Sequence, residues 1–156
     1  MDSKKLAIKI SELIFSKKGF DVTILNLSKL ASFADYFVIC SADSTTQVKA
    51  ISDEVDKKLR DEDIRVWHRE GYNALSWVLL DFVDVVVHIF KKDAREFYNL
   101  EKLWGDAPVL KVTDPALKKE SKAKTPSKSR EIAKKPTAKK TAAKKATTKR
   151  TGTKKK

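Results

Sequence analysis

Two apolar runs with a short acidic break between them, within residues 75–104, constrain the fold of this chain more than any other feature. Residues 77–80 and 85–90 are rich in β-branched and aromatic side chains, a composition typical of β-strands. The four residues 81–84 between the runs are few enough to form a hairpin turn. The sequence therefore predicts a β-hairpin near the centre of the fold.

The expected loop of this hairpin is Phe82 and Val83, which would pair Trp77 with His88. Because side chains alternate along a strand, the hairpin has one purely aliphatic face and one mixed face. The aliphatic face contains Val78, Leu80, Val85, Val87 and Ile89. The mixed face contains Leu75, Trp77, Leu79, Val86, His88 and Phe90. The first face suits a core beneath helices, and the second has the aromatic content of a surface that meets a partner.

Periodic patterns across residues 1–115 predict the element order α-β-β-α-β-β-β-α. The capping box of Ser44 and Gln47 predicts the start of the second helix. The predicted helices cover residues 3–18, 44–60 and 91–99, and the predicted strands cover residues 22–27, 36–40, 64–68, 77–80 and 85–90. Because helices do not separate every pair of strands, we expect an α/β fold whose mixed five-stranded sheet carries helices mainly on one face.

Charge divides the chain into two parts. Residues 1–115 contain 17 Lys and Arg against 19 Asp and Glu, whereas residues 116–156 contain 17 against 2. The second part repeats a lysine pair every five residues and has almost no large apolar side chain, so we expect a disordered Lys/Ala/Thr-rich basic tail. Its candidate nucleic-acid-binding residues are Lys134, Lys135, Lys139, Lys140, Lys144, Lys145, Lys149 and Arg150. Either the tail binds a polyanion through phosphate contacts or it only keeps the protein soluble.

The sequence offers little support for catalysis, a cofactor or a metal. Asp81 and Asp84 flank a turn without a further ligand set, and no nucleophile has a recognisable spacing to His88. The glycine motifs that cradle nucleotides are missing. The single cysteine, Cys40, lies in an apolar run, so we expect a buried thiol in a reducing compartment. No apolar run reaches the ~20 residues of a membrane span, and Met1 leads into an amphipathic helix, so we expect a cytoplasmic protein.

Residues 97–104 contain more aromatic and leucine side chains than one helical stripe can bury. Two interpretations are open for this segment. It folds over the mixed face of the hairpin, or it adds to an exposed surface that binds a partner.

Four stretches of the chain, residues 35–41, 77–82, 84–90 and 94–107, resemble the ribosomal silencing factor (Iojap-like) family in sequence and order. The resemblance covers roughly residues 4–108. It implies a nucleotidyltransferase-like fold without transferase activity, and binding to ribosomal protein fourteen on the large ribosomal subunit. A factor bound there blocks joining of the small subunit and represses translation. The resemblance also implies a homodimer of the free protein.

From this resemblance and the residue pattern we predict a protein-binding surface with Asp81 and Asp84 at its border. Its other residues are Trp77, His88, Tyr98, Leu100, Glu101, Leu103 and Trp104. The tail would add electrostatic attraction to ribosomal RNA. Val83 stands where the family turn usually has glycine, which puts the predicted register in question. The alternatives are a nucleotidyltransferase-like enzyme, and a nucleic-acid-binding protein that acts through its tail.

Overall fold

The computed structural model describes residues 1–115, which fold into a six-stranded sheet with four helices. The elements in chain order are α1 (Ser3–Ser16), β1 (Phe20–Asn26), β2 (Tyr36–Ala42), α2 (Thr45–Arg60), β3 (His68–Glu70), β4 (Trp77–Asp81), β5 (Val85–Lys91), α3 (Lys92–Tyr98), α4 (Leu100–Leu103) and β6 (Val109–Lys111). The predicted tail and its cationic residues lie outside the described residues.

The sheet has the strand order β3-β4-β5-β2-β1-β6. β2 and β5 pair in parallel and the other neighbours pair antiparallel, which confirms the predicted mixed sheet. The predicted number of five strands is wrong, because β6 pairs with β1 at the edge. All three residues of β6 are exposed, so this strand lacks the buried and exposed alternation by which a strand is recognised in sequence.

The predicted hairpin forms, but its register differs from the prediction. Trp77 pairs with Phe90 rather than with His88, and the loop consists of Val83 and Asp84, with the Phe82 N–H donating to the Val85 carbonyl at 2.9 Å. When the two-residue loop moves by one position along the chain, each residue of β4 pairs with a residue of β5 two positions further on. Because side chains alternate with a period of two, each side chain stays on its predicted face. Val83 has a φ of 71° at the first loop position, where hairpins prefer glycine.

The third strand is shorter and later than predicted. Its pairing with β4 covers only His68–Glu70, whereas the expectation was residues 64–68. Ile64 and Val66 are half buried against the core, so their apolar alternation reflects the packing of a loop and not a strand.

The aliphatic face of the hairpin packs under α1 and α2. All five residues predicted for this face are buried in one cluster with Ile10 and Ile14 of α1 and with Ile51 of α2. Leu75 was assigned to the wrong face, because it packs against this same cluster. Its φ of 54° interrupts the alternation that the assignment assumed.

One of the two hydrogen bonds of the predicted capping box forms at the start of α2. The Ser44 hydroxyl accepts the Gln47 N–H at 3.2 Å. The Gln47 side chain accepts the Asp43 N–H at 2.7 Å and donates to the Lys18 carbonyl at 2.8 Å. Gln47 therefore joins the start of α2 to the end of α1, which holds the two covering helices together on one face.

Candidate protein-docking surface

The other face of the sheet presents aromatic side chains from three neighbouring strands. Trp77 of β4 stacks on Phe90 of β5 with 4.9 Å between ring centroids, as their cross-strand pairing requires. On β5 the His88 ring lies 4.6 Å from the Phe37 ring of β2. These rings form a continuous layer across β4, β5 and β2.

The helices α3 and α4 lie on this aromatic layer without enclosing it. Tyr98, at the end of α3, contacts Trp77 with 4.8 Å between centroids. Trp104, just after α4, packs edge-on against Phe37 at 5.8 Å. Leu100 is the only residue of either helix that is buried. The segment 97–104 therefore folds over part of the sheet and also keeps part of its apolar surface outside.

Several apolar side chains on this side of the sheet are left outside. Phe97 is 82% exposed, Leu103 75%, Phe33 60% and Tyr98 51%. Phe33 joins them from the loop before β2, with its ring 6.0 Å from that of Trp104. We call this group the aromatic surface, and its residues are Phe33, Trp77, Phe97, Tyr98, Leu103 and Trp104. Its exposed aromatic side chains have the composition of a protein-binding site.

His88 lies beneath the aromatic surface, with only 4% of its area exposed. The Trp77 indole N–H donates to His88 Nδ1 at 3.3 Å, so the neutral ring carries its proton on Nε2, which has no hydrogen-bond partner. Burial lowers the pKa of His88 from 6.5 to about 4, because a charged ring would lose its hydration there. His88 is therefore neutral near pH 7 and holds the Trp77 ring in place.

Comparison with known proteins identifies the family. A family model described as "Ribosomal silencing factor during starvation" matches residues 1–150. The chain belongs to this family. A ribosomal silencing factor of Halalkalibacterium halodurans is 42% identical over 112 residues, 72% of this chain and 96% of the relative. The Bacillus subtilis ribosomal silencing factor is 46% identical over 93 residues, 60% of this chain and 79% of that protein.

A solved structure agrees with the fold of this ribosomal silencing factor family member. The crystal structure of a Chromobacterium violaceum protein, 34% identical, superposes with a TM-score of 0.66 and covers 67% of this chain and 88% of that chain. The likeness supports an α/β fold with a mixed sheet.

The structure brings most of the predicted binding residues to one side of the sheet, but not all of them to the exterior. Trp77 and Trp104 are half-buried, and Tyr98 and Leu103 are exposed. His88 and Leu100 are buried. Direct contact of these two with a partner would need a rearrangement, so we assign them to the support of the surface.

The predicted acidic residues lie in three different settings. Glu101 is half-buried and pairs with Arg95. Asp81 accepts the Val83 N–H at 2.8 Å within the hairpin turn, and it borders a cavity of about 320 Å³ together with Phe33 and Trp67. Asp84 is exposed in the loop. Of the three carboxylates, Asp84 alone is left facing solvent on the hairpin side of the surface.

Phe33 and Phe97 belong to the aromatic surface but were not among the predicted binding residues. Phe33 lies in an irregular loop, where no periodicity signals the side to which a residue points. Phe97 precedes the predicted Tyr98 in α3, a short helix without a buried residue, so no apolar stripe marks its exposed side. An adjacent pair of aromatic residues, Phe97 and Tyr98, was the one available signal, because a single stripe cannot bury both.

Other chemical groups of the described residues do not form a reactive site. Burial raises the pKa of the Cys40 thiol to about 12, although the charge of Arg95 opposes the shift, so the thiol is protonated and unreactive near pH 7. Within residues 1–115, no group of three or more His, Cys, Asp or Glu side chains could hold a metal ion. Nor is any helix in this part of the chain long and apolar enough to cross a bilayer.

Proposed function

We propose that this protein represses translation by docking its aromatic surface on ribosomal protein fourteen of the large ribosomal subunit, so that the small subunit cannot join. The observation that carries the proposal is the exposure of Phe97, Tyr98 and Leu103 on two short helices, which rest on the aromatic layer through the contact of Tyr98 with Trp77. Rigid aromatic side chains on a fixed base contribute strongly to protein–protein affinity, since little conformational entropy is lost on binding. Membership of the silencing factor family supports the same partner class.

The proposed mechanism is steric and needs no bond to form or break. A folded domain bound at the face where the two subunits meet excludes the small subunit by occupying its volume. The rate of translation then depends on the fraction of large subunits that carry the factor, which is set by its affinity and concentration.

The test compares two surface variants on opposite faces of the sheet. Leu103→Ala removes an exposed side chain of the aromatic surface, and Ile8→Ala removes an exposed side chain of α1. Both residues are aliphatic and exposed, so neither change should alter folding by more than about 0.5 kcal/mol. We expect Leu103→Ala to weaken cosedimentation with isolated large subunits about tenfold and Ile8→Ala to leave it unchanged.

Subunit joining provides the functional measurement. Wild-type protein should lower the fraction of 70S particles that form from purified subunits, and Leu103→Ala should require about tenfold more protein for the same effect. Equal loss of binding by both variants, or binding that does not prevent joining, would contradict the proposal.

We also propose that residues 116–156 strengthen binding through ribosomal RNA. Their lysine and arginine side chains carry a large excess of positive charge, and neutralising phosphates releases counterions, which makes affinity depend on salt. Deleting residues 116–156 should reduce the slope of log affinity against log salt concentration while the effect of Leu103→Ala persists. An unchanged slope would show that the tail does not touch RNA.

Three further proposals concern the fold and activity of the domain, the location of the protein and its oligomeric state. From the family resemblance we infer a nucleotidyltransferase-like fold, and we infer that it lacks transferase activity because residues 41–44, just before α2, contain no glycine. Mg²⁺-dependent nucleotide transfer by the purified protein would refute this inference.

We propose a cytoplasmic protein, since ribosomes are its target. We propose that the free protein dimerises through its exposed aromatic surface, and analytical ultracentrifugation of the wild type and Leu103→Ala tests this proposal.

A further inference from the structure

Arg95 of α3 is the most highly connected charged residue next to the aromatic surface. Its side chain is only 14% exposed. The Nε–H donates to Glu101 Oε1 at 2.9 Å, and Nη2 forms a second bond to the same carboxylate oxygen. This ion pair joins α3 to α4 across the bend between them.

The same guanidinium also binds two strands of the sheet. Nη1 donates to the Asp21 carbonyl at 2.6 Å and to the Ser41 hydroxyl at 2.9 Å. Nη2 donates to the Thr23 hydroxyl at 3.3 Å. The pairing of β1 with β2 is irregular between Phe20 and Thr23, which leaves the Asp21 carbonyl free to accept from Arg95.

These contacts account for all five N–H donors of the guanidinium. Arg95 borders a cavity of about 700 Å³, and a cationic side chain beside a cavity would otherwise be a candidate anion site. With each donor already bound to the protein, Arg95 has none left for an anion. The guanidinium is therefore a structural junction that joins the bend between α3 and α4 to the sheet.

The corner formed by α3 and α4 rests on the sheet through buried Leu100 and the contact of Tyr98 with Trp77, and the Arg95 junction is its polar attachment. The helices are seven and four residues long, which is too short for stability without tertiary contacts. Asn99 joins them with a φ of 42°, and its side chain accepts the Lys102 N–H at 3.3 Å. No residue of α3 is buried. The Arg95 junction therefore adds to the apolar packing of Leu100 and Tyr98 in fixing the corner that carries Leu103.

We propose that Arg95 is a positioning residue for docking, and that Glu101 acts through Arg95 instead of touching the partner. The inference rests on the proposed function. By fixing the corner on β1 and β2, Arg95 holds the exposed side chains in one arrangement before binding. Such preorganisation reduces the ordering entropy that binding would otherwise cost.

A double-mutant cycle in the full-length protein tests this inference. The variants are Arg95→Met, Glu101→Gln and the double variant, and the control is Arg60→Met, which breaks the ion pair with Asp56 on α2. The first measurement is affinity for isolated large subunits. Each single change should weaken binding about tenfold, and the double variant should be no weaker than the weaker single, because the two side chains act as a unit. Arg60→Met should leave binding unchanged.

The second measurement is amide hydrogen exchange of the free protein. Loss of the junction should speed exchange at residues 98–103 about tenfold in Arg95→Met and Glu101→Gln, with the amides of β2 and β5 unchanged. If Arg95→Met fails to fold, Arg95→Lys replaces it in the cycle, since lysine keeps the charge but cannot reach all the acceptors.

Two results would overturn the inference. One is a loss of affinity for Glu101→Gln that is as large in the Arg95→Met background as in the wild type, which would mean that Glu101 contacts the partner itself. The other is unchanged exchange at residues 98–103. If wild-type protein does not bind large subunits, the proposed function fails, and the exchange measurement still decides whether Arg95 fixes the corner.

Discussion

The two faces of the sheet differ in how they are covered. Two helices of 14 and 16 residues cover the aliphatic face, and its side chains are almost fully buried. The aromatic face carries helices of only seven and four residues, and large apolar side chains stay exposed at its edge. The difference teaches that one face holds the larger buried core, while the other leaves apolar area exposed, as the proposed docking requires.

The largest expected effect comes from the aliphatic face. Ile51→Ala should lower the free energy of unfolding by about 4 kcal/mol, because it leaves a cavity under α2. Urea denaturation would measure the loss, with Ile8→Ala as the control. Below the melting temperature the folded variant should bind large subunits normally. A loss of affinity in the folded variant would show that the two faces are not independent.

A slightly smaller effect should come from the buried imidazole under the aromatic face. The pKa of His88 is 6.5 in the unfolded chain and about 4 in the folded one, so between these values only the unfolded state binds the proton. The stability contributed by the neutral ring is complete above pH 6.5 and is lost as pH falls towards 4, by about 3 kcal/mol in total.

The measurement is the free energy of unfolding as a function of pH, compared between the wild type and His88→Asn. Other groups contribute to the wild-type profile, so His88→Asn serves as the reference, since asparagine can still accept the Trp77 N–H. The wild type should lose more stability than His88→Asn between pH 7 and pH 4.5. Parallel profiles would mean that His88 is protonated without cost in the folded state.

Substitution of Trp104 should affect both stability and binding, because the side chain is half-buried. Its ring packs against Phe37 and Phe33, and it belongs to the aromatic surface. Trp104→Ala should weaken binding to large subunits by about 2 kcal/mol, or roughly thirtyfold. It should also lower stability, but less than Ile51→Ala does. Lost stability with unchanged affinity would remove Trp104 from the docking surface.

The smallest expected effect concerns the hairpin loop that borders both faces. Val83 adopts a φ of 71°, which is unfavourable for a β-branched residue. Val83→Gly should raise the free energy of unfolding by about 0.5–1 kcal/mol, and Val83→Ala, which keeps a Cβ, should gain less. Destabilisation by the glycine would show that the exposed Val83 side chain has packing that offsets its backbone strain.

The sequence predicted the sheet faces better than the register. Alternation assigned Val78, Leu80 and Ile89 correctly, since a strand side chain can point only to one side or the other. The register depends on which two residues form the loop, and the sequence pattern left that open because Val83 is an unusual loop residue. The short strand β6 was missed for a related reason, since its pairing with β1 is long-range and leaves no local pattern.

The binding site stays a prediction, but several of its residues lie together on one side of the sheet. The aromatic residues Trp77, Tyr98 and Trp104 were identified from composition and family resemblance. Their exposure could not be read from the sequence, because it depends on how much of the aromatic layer two short helices cover. The proposed role of Glu101 differs from the sequence prediction for the same reason, since its partner Arg95 contacts β1 and β2, which lie far away in the chain.

The sequence by itself determined the mixed α/β class, the separation of aliphatic from aromatic residues and the contrast in charge between residues 1–115 and 116–156. These properties follow from local periodicity and composition. Only the tertiary structure decided which apolar side chains stay outside, where the hairpin turns and how Arg95 joins the corner to the sheet. Each of these depends on contacts between residues distant in the chain, and the free energy of such contacts is set by geometry that no local pattern contains.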